Sequence, residues 1–265
     1  MNQDGVRDYL HRIGATRPPR ADLAGLRHLH EQHQRTVPFE NLAIHLGEPV
    51  ALDEAGLLDK IVTRKRGGFC YELNGAFALL LSALGYHVTL LAARVFGADG
   101  IPGAPFDHLA LRVALPAPWL VDVGFGKHSR FPLDLRANGD QADPDGVFRI
   151  RRAPRGDLDV LRDGTPQYRL ETRARELADF GPTCWYQQTS PDSHFTRSMI
   201  CTRLTESGRI SLSDHTLIRT GPDHREEREL TDAQALAAYP ELFGFSLGQL
   251  PEPGEKISRA GRLGN

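Results

Sequence analysis

A single cysteine stands between a glycine pair and a strongly apolar run, in the segment RGGFCYELN at residues 66–74. Gly67 and Gly68 let the backbone turn tightly, and the apolar run predicts a helix that begins near Cys70. The dipole and the unpaired N–H groups of such a helix start favour a thiolate, and the basic residues at 64–66 would add positive potential. Free cysteine is also among the most buried residue types. On these local features, a reactive thiol and an inert core residue are both open.

A nucleophilic cysteine needs a base, and the base needs a group that orients it. Among the eleven histidines, His108 begins a β-rich segment directly after a Gly/Pro-rich loop, where an imidazole can face a cleft. Asp122 lies within the apolar segment 119–123. A carboxylate in such a strand is costly to bury unless it is paired. These two residues are therefore the candidate partners of Cys70.

A short Pro-rich turn at 116–118 predicts that the segments carrying His108 and Asp122 form an antiparallel hairpin. In the simplest register, Asp122 lies opposite Arg112, and a salt bridge between these two is the alternative to a triad. Centring the turn one residue earlier makes His108 and Asp122 diagonal neighbours, roughly 7 Å apart by backbone. Spacing alone therefore permits a Cys–His–Asp triad without establishing it.

The composition is that of an ordinary globular protein, with 265 residues, 40% hydrophobic, 25% charged and a net charge of −2. This balance argues against nucleic-acid or membrane-surface binding through bulk charge, and no apolar run approaches the ~20 residues that span a bilayer. Three cysteines with no CxxC spacing favour a reducing cytoplasm. The string HEQH at 30–33 is one residue short of HExxH, so no metal site is predicted.

Hydrophobic periodicity divides the chain into helices, then strands, then a mixed tail, which predicts an α+β fold. The helical stretches precede residue 86, and one more helix opens at Thr231 in a capping-box pattern. The predicted helices are 22–34, 53–62, 70–84 and 231–243, and the predicted strands are 87–96, 108–115, 119–125, 147–152, 197–204 and 208–220.

Several strings along the chain resemble the arylamine N-acetyltransferases. The strongest are RGGFCYELN around Cys70, VPFENL at 37–42 and VDVGFG at 121–126. The strand start at His108 and the strings YL.RIG, PLDL and PDSHFTRSMICTR match in the same order, so the resemblance covers most of residues 8–205.

The resemblance implies a fold of three consecutive parts. These are a helical bundle that carries the nucleophile (1–86), a β-barrel that carries the histidine and the aspartate (87–190), and an α/β lid (191–265). The three parts would surround a Cys–His–Asp core like that of the cysteine proteases.

The resemblance further implies acetyl-CoA-dependent N-acetylation of arylamines, arylhydroxylamines and hydrazines by a ping-pong mechanism. The catalytic residues would be Cys70, His108 and Asp122. By similarity the aromatic amine would contact Phe39, Val95, Phe125 and Phe195, and CoA would contact the loop formed by Gly124, Gly126 and Lys127, with Arg130 close by. The expected partners are small aromatic amines and acyl-CoA, with no nucleic acid and no membrane. The sequence does not indicate an oligomeric state.

Three rival interpretations remain open from the sequence. A papain- or transglutaminase-type thiol hydrolase would keep the triad and pass the acyl group to water. An amide synthase that closes a macrolactam would use the same triad and fold. A non-enzymatic interaction module would retain Cys70 only as a core residue.

Overall fold

The computed structural model describes residues 1–251. Helices dominate up to Ala83, and they pack around a shared core that includes Tyr9, Leu29 and Phe77. Their bounds are α1 Gln3–Arg12, α2 Leu23–Thr36, α3 Leu42–His45, α4 Glu54–Leu58 with a π-helical continuation over Asp59–Thr63, and α5 Cys70–Ala83.

Two predicted helix ends are confirmed by their capping contacts. The Asp22 carboxylate accepts the N–H of Gly25 at 2.9 Å and so starts α2. Helix α5 ends where Gly85 adopts a positive φ of 91°, which a residue without a side chain adopts freely. Helix α1 was not among the predicted helices.

An eight-stranded antiparallel sheet, in the order β5-β4-β3-β2-β9-β8-β7-β6, forms the central part. Gln141 on one edge strand exchanges two hydrogen bonds with the backbone of Asp134 on the other, at 2.8 and 3.1 Å, so the sheet curves into a nearly closed barrel. The strands are β2 His87–Val95, β3 His108–Ala114, β4 Pro118–Val121, β5 Leu133–Asp134, β6 Gln141–Asp143, β7 Gly146–Arg152, β8 Leu158–Arg162 and β9 Thr165–Arg175.

A second sheet of five strands packs against the C-terminal helix. Its first strand, β1 (Phe39–Glu40), comes from the helical part of the chain and pairs with β10, so it ties the nucleophile-bearing region to the lid. The remaining elements are α6 Gly181–Thr189, α7 His194–Arg197, β10 Ile200–Leu204, β11 Arg209–Ser213, β12 Thr216–Thr220, β13 Arg225–Glu229 and α8 Asp232–Ala238, followed by a π-helical turn over Tyr239–Phe243.

The predicted α+β class and its order of parts are confirmed. The predicted strand from 197 begins only at Ile200, because the preceding residues form α7. The further elements that were not predicted are strands β1, β5, β6, β8, β9 and β13 and helices α3, α6 and α7. Within residues 1–251, no helix is both long and apolar enough to cross a bilayer.

Candidate active site

Helix α5 carries Cys70 as its first residue and buries almost its whole circumference. A helix that is apolar on all sides is held in place by the core around it. Glu72 fixes the start of the helix, because its carboxylate accepts the N–H of Phe69 at 3.2 Å and pairs with the buried Lys60 ammonium at 2.6 Å. The thiol is thus held at a rigid helix tip.

The glycine pair before Cys70 is explained by close contacts within the protein. A Cβ on Gly67 would lie 2.0 Å from the carbonyl oxygen of Pro38, and one on Gly68 would lie 2.6 Å from a carboxylate oxygen of Glu72. The glycines therefore let the chain pass between the helix tip and strand β1.

The hairpin of β3 and β4 has the shifted register. Arg112 lies opposite Leu120 and Val113 opposite Trp119, so the turn is centred one residue earlier than in the simplest register. Continued to Asp122, this register makes His108 its diagonal neighbour. Arg112 instead contacts the hydroxyl of Thr89 at 3.3 Å, so the alternative salt bridge to Asp122 is not formed.

His108 and Asp122 form a buried pair, with His108 Nε2 and Asp122 Oδ2 2.8 Å apart. Asp122 Oδ1 accepts two further hydrogen bonds, from the N–H of Gly124 at 3.0 Å and from Asn74 Nδ2 at 2.9 Å. Burial raises the pKa of this carboxyl, but the charge and hydrogen bond of His108 outweigh it and hold the pKa well below its usual value. Asp122 is therefore a carboxylate that keeps the proton of His108 on Nε2 and leaves Nδ1 as an acceptor.

Asn74, one helical turn after Cys70, joins the three segments of the site. Besides donating to Asp122, its Nδ2 donates to the carbonyl oxygen of Leu109 at 2.6 Å, and its Oδ1 accepts the N–H of Val123 at 3.0 Å. One buried amide thus links α5, β3 and the loop after β4. Sequence reasoning missed this residue, although a polar side chain within an apolar helix was the available signal.

Two more buried histidines surround Asp122. His30 Nε2 accepts the backbone N–H of Asp122 at 3.2 Å, and His128 contacts the hydroxyl of Tyr168 at 3.2 Å. Burial lowers the pKa of His30 and lowers that of His128 to about 4. Both rings are therefore neutral at pH 7.

The environment of Cys70 opposes spontaneous ionisation. Burial raises the pKa of its thiol well above the usual value, a backbone hydrogen bond from Leu109 lowers it, and the charges of Asp107 and Asp122 raise it further. Two of the three basic residues before Cys70 are already paired with carboxylates, since Arg64 pairs with Glu48 and Asp59 while Arg66 pairs with Glu40. A thiolate at Cys70 therefore requires a neighbouring proton acceptor.

Cys70 and His108 open into one cavity of about 910 Å³. Its wall brings all four predicted amine-binding residues together with Cys70 and His108, two of the three predicted catalytic residues. Phe195 packs against Phe39 and Phe69, at centroid distances of 6.2 and 5.6 Å, and Phe125 lies 5.1 Å from the ring of His108. The predicted residues that line the cavity are Phe39, Cys70, Val95, His108, Gly124, Phe125 and Phe195.

The predicted CoA-binding residues are divided between this cavity and its neighbours. Gly124 lines the cavity, but a Cβ there would lie 2.8 Å from the Cα of Cys70, so contact with the nucleophile helix already requires a glycine. Gly126 and Lys127 do not line this cavity; they face two adjacent clefts.

The fold and this site define an N-acetyltransferase, and a family model described as N-acetyltransferase matches residues 22–250. The chain belongs to the arylamine N-acetyltransferase family and is a transferase. It is 36% identical over 256 residues to the arylamine N-acetyltransferase of Mycolicibacterium smegmatis, an alignment that covers 91% of this chain and 92% of that one.

Solved structures of that family have the same fold. The M. smegmatis arylamine N-acetyltransferase superposes with a TM-score of 0.85 at 34% identity, covering 94% of this chain and 93% of the other. The Mycobacterium marinum arylamine N-acetyltransferase in complex with CoA superposes with a TM-score of 0.84 at 31% identity, covering 91% and 92% of the two chains.

Proposed function

We propose that the protein transfers the acetyl group of acetyl-CoA to arylamines, arylhydroxylamines and hydrazines, through an acetyl-Cys70 intermediate. The observation that carries the proposal is the buried His108–Asp122 pair, 2.8 Å between Nε2 and Oδ2, opening with Cys70 into one aromatic cavity. The CoA complex of the M. marinum relative supports acyl-CoA as the donor.

In the first half-reaction, His108 Nδ1 accepts the proton of the Cys70 thiol. The thiolate attacks the thioester carbonyl carbon, forming a C–S bond, and the tetrahedral intermediate collapses as the C–S bond to CoA breaks. The CoA sulfur leaves with the proton that His108 held. Because the pKa of the Cys70 thiol is raised by burial, this proton transfer is what generates the nucleophile.

In the second half-reaction, the amine nitrogen attacks the acetyl-Cys70 carbonyl. His108 accepts the proton lost by the nitrogen and returns it to the Cys70 sulfur as the C–S bond breaks, which restores the starting state. Asp122 stabilises the imidazolium in both halves without itself taking the proton. The aromatic walls at Phe39, Phe125 and Phe195 suit a flat ring, because stacked and edge-to-face contacts favour aromatic pairs.

The test is the release of CoA from acetyl-CoA with a panel of arylamines and hydrazines. We expect CoA and the N-acetyl product in equal amounts, and initial rates at varied concentrations of both substrates should give parallel double-reciprocal lines. Cys70→Ser should abolish turnover while the protein stays folded. CoA release with free acetate as the product would favour a thiol hydrolase, and no release with any amine would overturn the proposal.

A further inference from the structure

The wall of the Cys70 cavity contains a carboxylate that the proposed mechanism does not use. Asp107 directly precedes His108 in the chain, and it lines the cavity together with His108 and Cys70. Asp122, the carboxylate that pairs with His108, is buried and does not line this cavity. A molecule bound beside the thiol would therefore share the cavity with Asp107.

The lid holds the Asp107 side chain in place. Gln187 of α6 is buried, and its Nε2 donates to Asp107 Oδ1 at 2.8 Å. The amide oxygen of Gln187 accepts the hydroxyl of Ser193 at 2.5 Å, which fixes the end of the amide that faces Asp107. The Ser193 oxygen in turn accepts the N–H of Phe195 at 3.1 Å. This network orients the Asp107 carboxylate and connects it to the aromatic wall of the cavity.

No cation pairs with Asp107 in the described part of the chain. Arg94 lies nearby, but its Nε donates to the carbonyl oxygen of Gly103 at 2.8 Å. Histidines apart, the other ionisable side chains of the wall are Asp192, Arg197 and Cys70. Asp192 and Arg197 are exposed and opposite in sign, and water screens such charges more than a partly buried one. Asp107 therefore contributes the least screened carboxylate charge of the wall.

Two observations bear on the ionisation of Asp107. Burial raises the pKa of its carboxyl, while His108 and hydrogen bonds from the Val95 N–H and from Gln187 lower it. Donors that bond to a carboxylate favour its ionised form. The charge of Asp107 also contributes to the raised pKa of the Cys70 thiol, after the larger effect of burial. The negative charge is thus close enough to act on the nucleophile.

We propose that Asp107 determines which acceptor amines the cavity admits, by disfavouring aromatic amines that carry a carboxylate and favouring neutral or cationic ones. This inference rests on the proposed function and adds the class of amine. A carboxylated ring held between the aromatic walls would place a second negative charge in the cavity with Asp107. Like charges repel more strongly in a partly desolvated site than in bulk water.

The first test compares 4-aminobenzamide with 4-aminobenzoate, which have the same ring and similar size but differ by one negative charge. Asp107→Asn keeps an oxygen that can accept Gln187 Nε2 and removes the charge. It should lower the ratio of kcat/KM for the amide to kcat/KM for the benzoate about tenfold, the equivalent of about 1.4 kcal/mol. Asp107→Glu, which keeps the charge, should retain most of the wild-type ratio.

Asp140→Asn is the matched control, because Asp140 is exposed and lies outside the cavity; its ratio should equal that of the wild type. A folded Asp107→Asn protein whose ratio is unchanged would overturn the proposal. So would a wild-type protein that acetylates the benzoate and not the amide.

Alkylation of Cys70 provides a second measurement that needs no acyl transfer. Iodoacetamide is neutral and iodoacetate is an anion of similar size, so the ratio of their rates reports the charge that the reagent meets. A change in the thiol pKa alters both rates alike and cancels in this ratio. In Asp107→Asn the ratio of the iodoacetamide rate to the iodoacetate rate should fall several-fold.

The two measurements separate this inference from the proposed function. If the wild-type protein acetylates no amine of any charge, the proposed function fails and the alkylation ratio alone decides whether Asp107 repels anions. A lowered ratio in Asp107→Asn then supports the charge selection, and an unchanged ratio overturns it. If the wild type acetylates amines, the change in the kcat/KM ratio decides.

Discussion

Replacing Asp122 by asparagine changes one oxygen to an amide nitrogen at the centre of three hydrogen bonds. His108 Nε2 contacts Oδ2 at 2.8 Å, while the N–H of Gly124 and Asn74 Nδ2 both point at Oδ1. A carboxylate accepts from all three donors, but an asparagine has one accepting oxygen. If that oxygen stays with Gly124 and Asn74, the amide N–H₂ faces His108 Nε2 and forces the ring proton onto Nδ1.

With the proton on Nδ1, His108 cannot accept the proton of Cys70. The opposite amide orientation would point the N–H₂ group at two other donors, the N–H of Gly124 and Asn74 Nδ2, and would leave both without an acceptor. The variant therefore holds the wrong tautomer, and we expect the rate of Cys70 acetylation to fall about 10³–10⁴-fold, the loss that a wrong tautomer causes in triad enzymes. Asp122→Glu, which keeps two acceptor oxygens, should retain more activity than Asp122→Asn.

The assay is the single-turnover release of CoA at saturating acetyl-CoA, with folding checked by urea denaturation. Asp140→Asn is the matched control, because Asp140 is exposed and its carboxylate pairs with the exposed Arg149 at 2.7 Å; its rate should equal that of the wild type. A folded Asp122→Asn protein that acetylates Cys70 within tenfold of the wild-type rate would refute the tautomer argument.

Three further predictions concern ionisation and stability. His108→Gln removes the proton acceptor of a thiol whose pKa is raised, so iodoacetamide labelling of Cys70 at pH 7 should slow about tenfold or more and recover only at alkaline pH; an unchanged rate would show that the thiol ionises unaided. Glu72→Gln leaves the buried Lys60 ammonium unpaired and should lower the free energy of unfolding in urea by about 3–5 kcal/mol, against at most about 1 kcal/mol for Glu227→Gln, which removes an exposed pair with Arg225. Burial lowers the pKa of His128 from 6.5 to about 4, so the unfolded chain takes up the proton first as the pH falls. Stability should therefore drop by about 3 kcal/mol at most between pH 6.5 and 4 through this residue, and a His128→Gln curve as steep as that of the wild type would contradict this.

The pairing of His108 with Asp122 shows where sequence reasoning stops. Side-chain alternation along the two strands allowed the pair, but in the simplest register Asp122 lies opposite Arg112 instead. The outcome depends on the turn, where the N–H of Leu115 donates to the carbonyl oxygen of Ala117 at 3.2 Å and the hairpin is centred one residue earlier than in the simplest register. Turn geometry of this kind follows from the backbone and is not encoded in the hydrophobic pattern.

The surroundings of Cys70 were predicted with the right residues and partly the wrong physics. The helix start and the glycine pair are present, yet the glycines serve packing against Pro38 and Glu72. Two of the three basic residues in the flank pair with carboxylates from other segments, Arg64 with Glu48 and Arg66 with Glu40. Partners that fold together from distant positions in the chain cannot be read from local composition.

The cavity lined by Lys127, Arg130, Arg162 and Arg209 likewise brings together residues from distant positions in the chain. Lys127 was predicted as a CoA contact from its place after Gly124 and Gly126. Arg162 lies on a strand of the barrel and Arg209 on a strand of the lid, and these strands meet only in the folded protein. No spacing along the chain connects these positions. The three aromatic residues predicted to contact an amine, Phe39, Phe125 and Phe195, came in contrast from short motifs, and the structure places them around one cavity.

The most direct test of the central claim is mass spectrometry of the protein after incubation with acetyl-CoA and no amine. We predict one acetyl group per chain, located on the Cys70 peptide, stable over minutes and removed at once by an added arylamine that appears as its N-acetyl derivative. No adduct on Cys70, or an adduct that an amine does not discharge, would contradict the proposed acetyl-Cys70 intermediate.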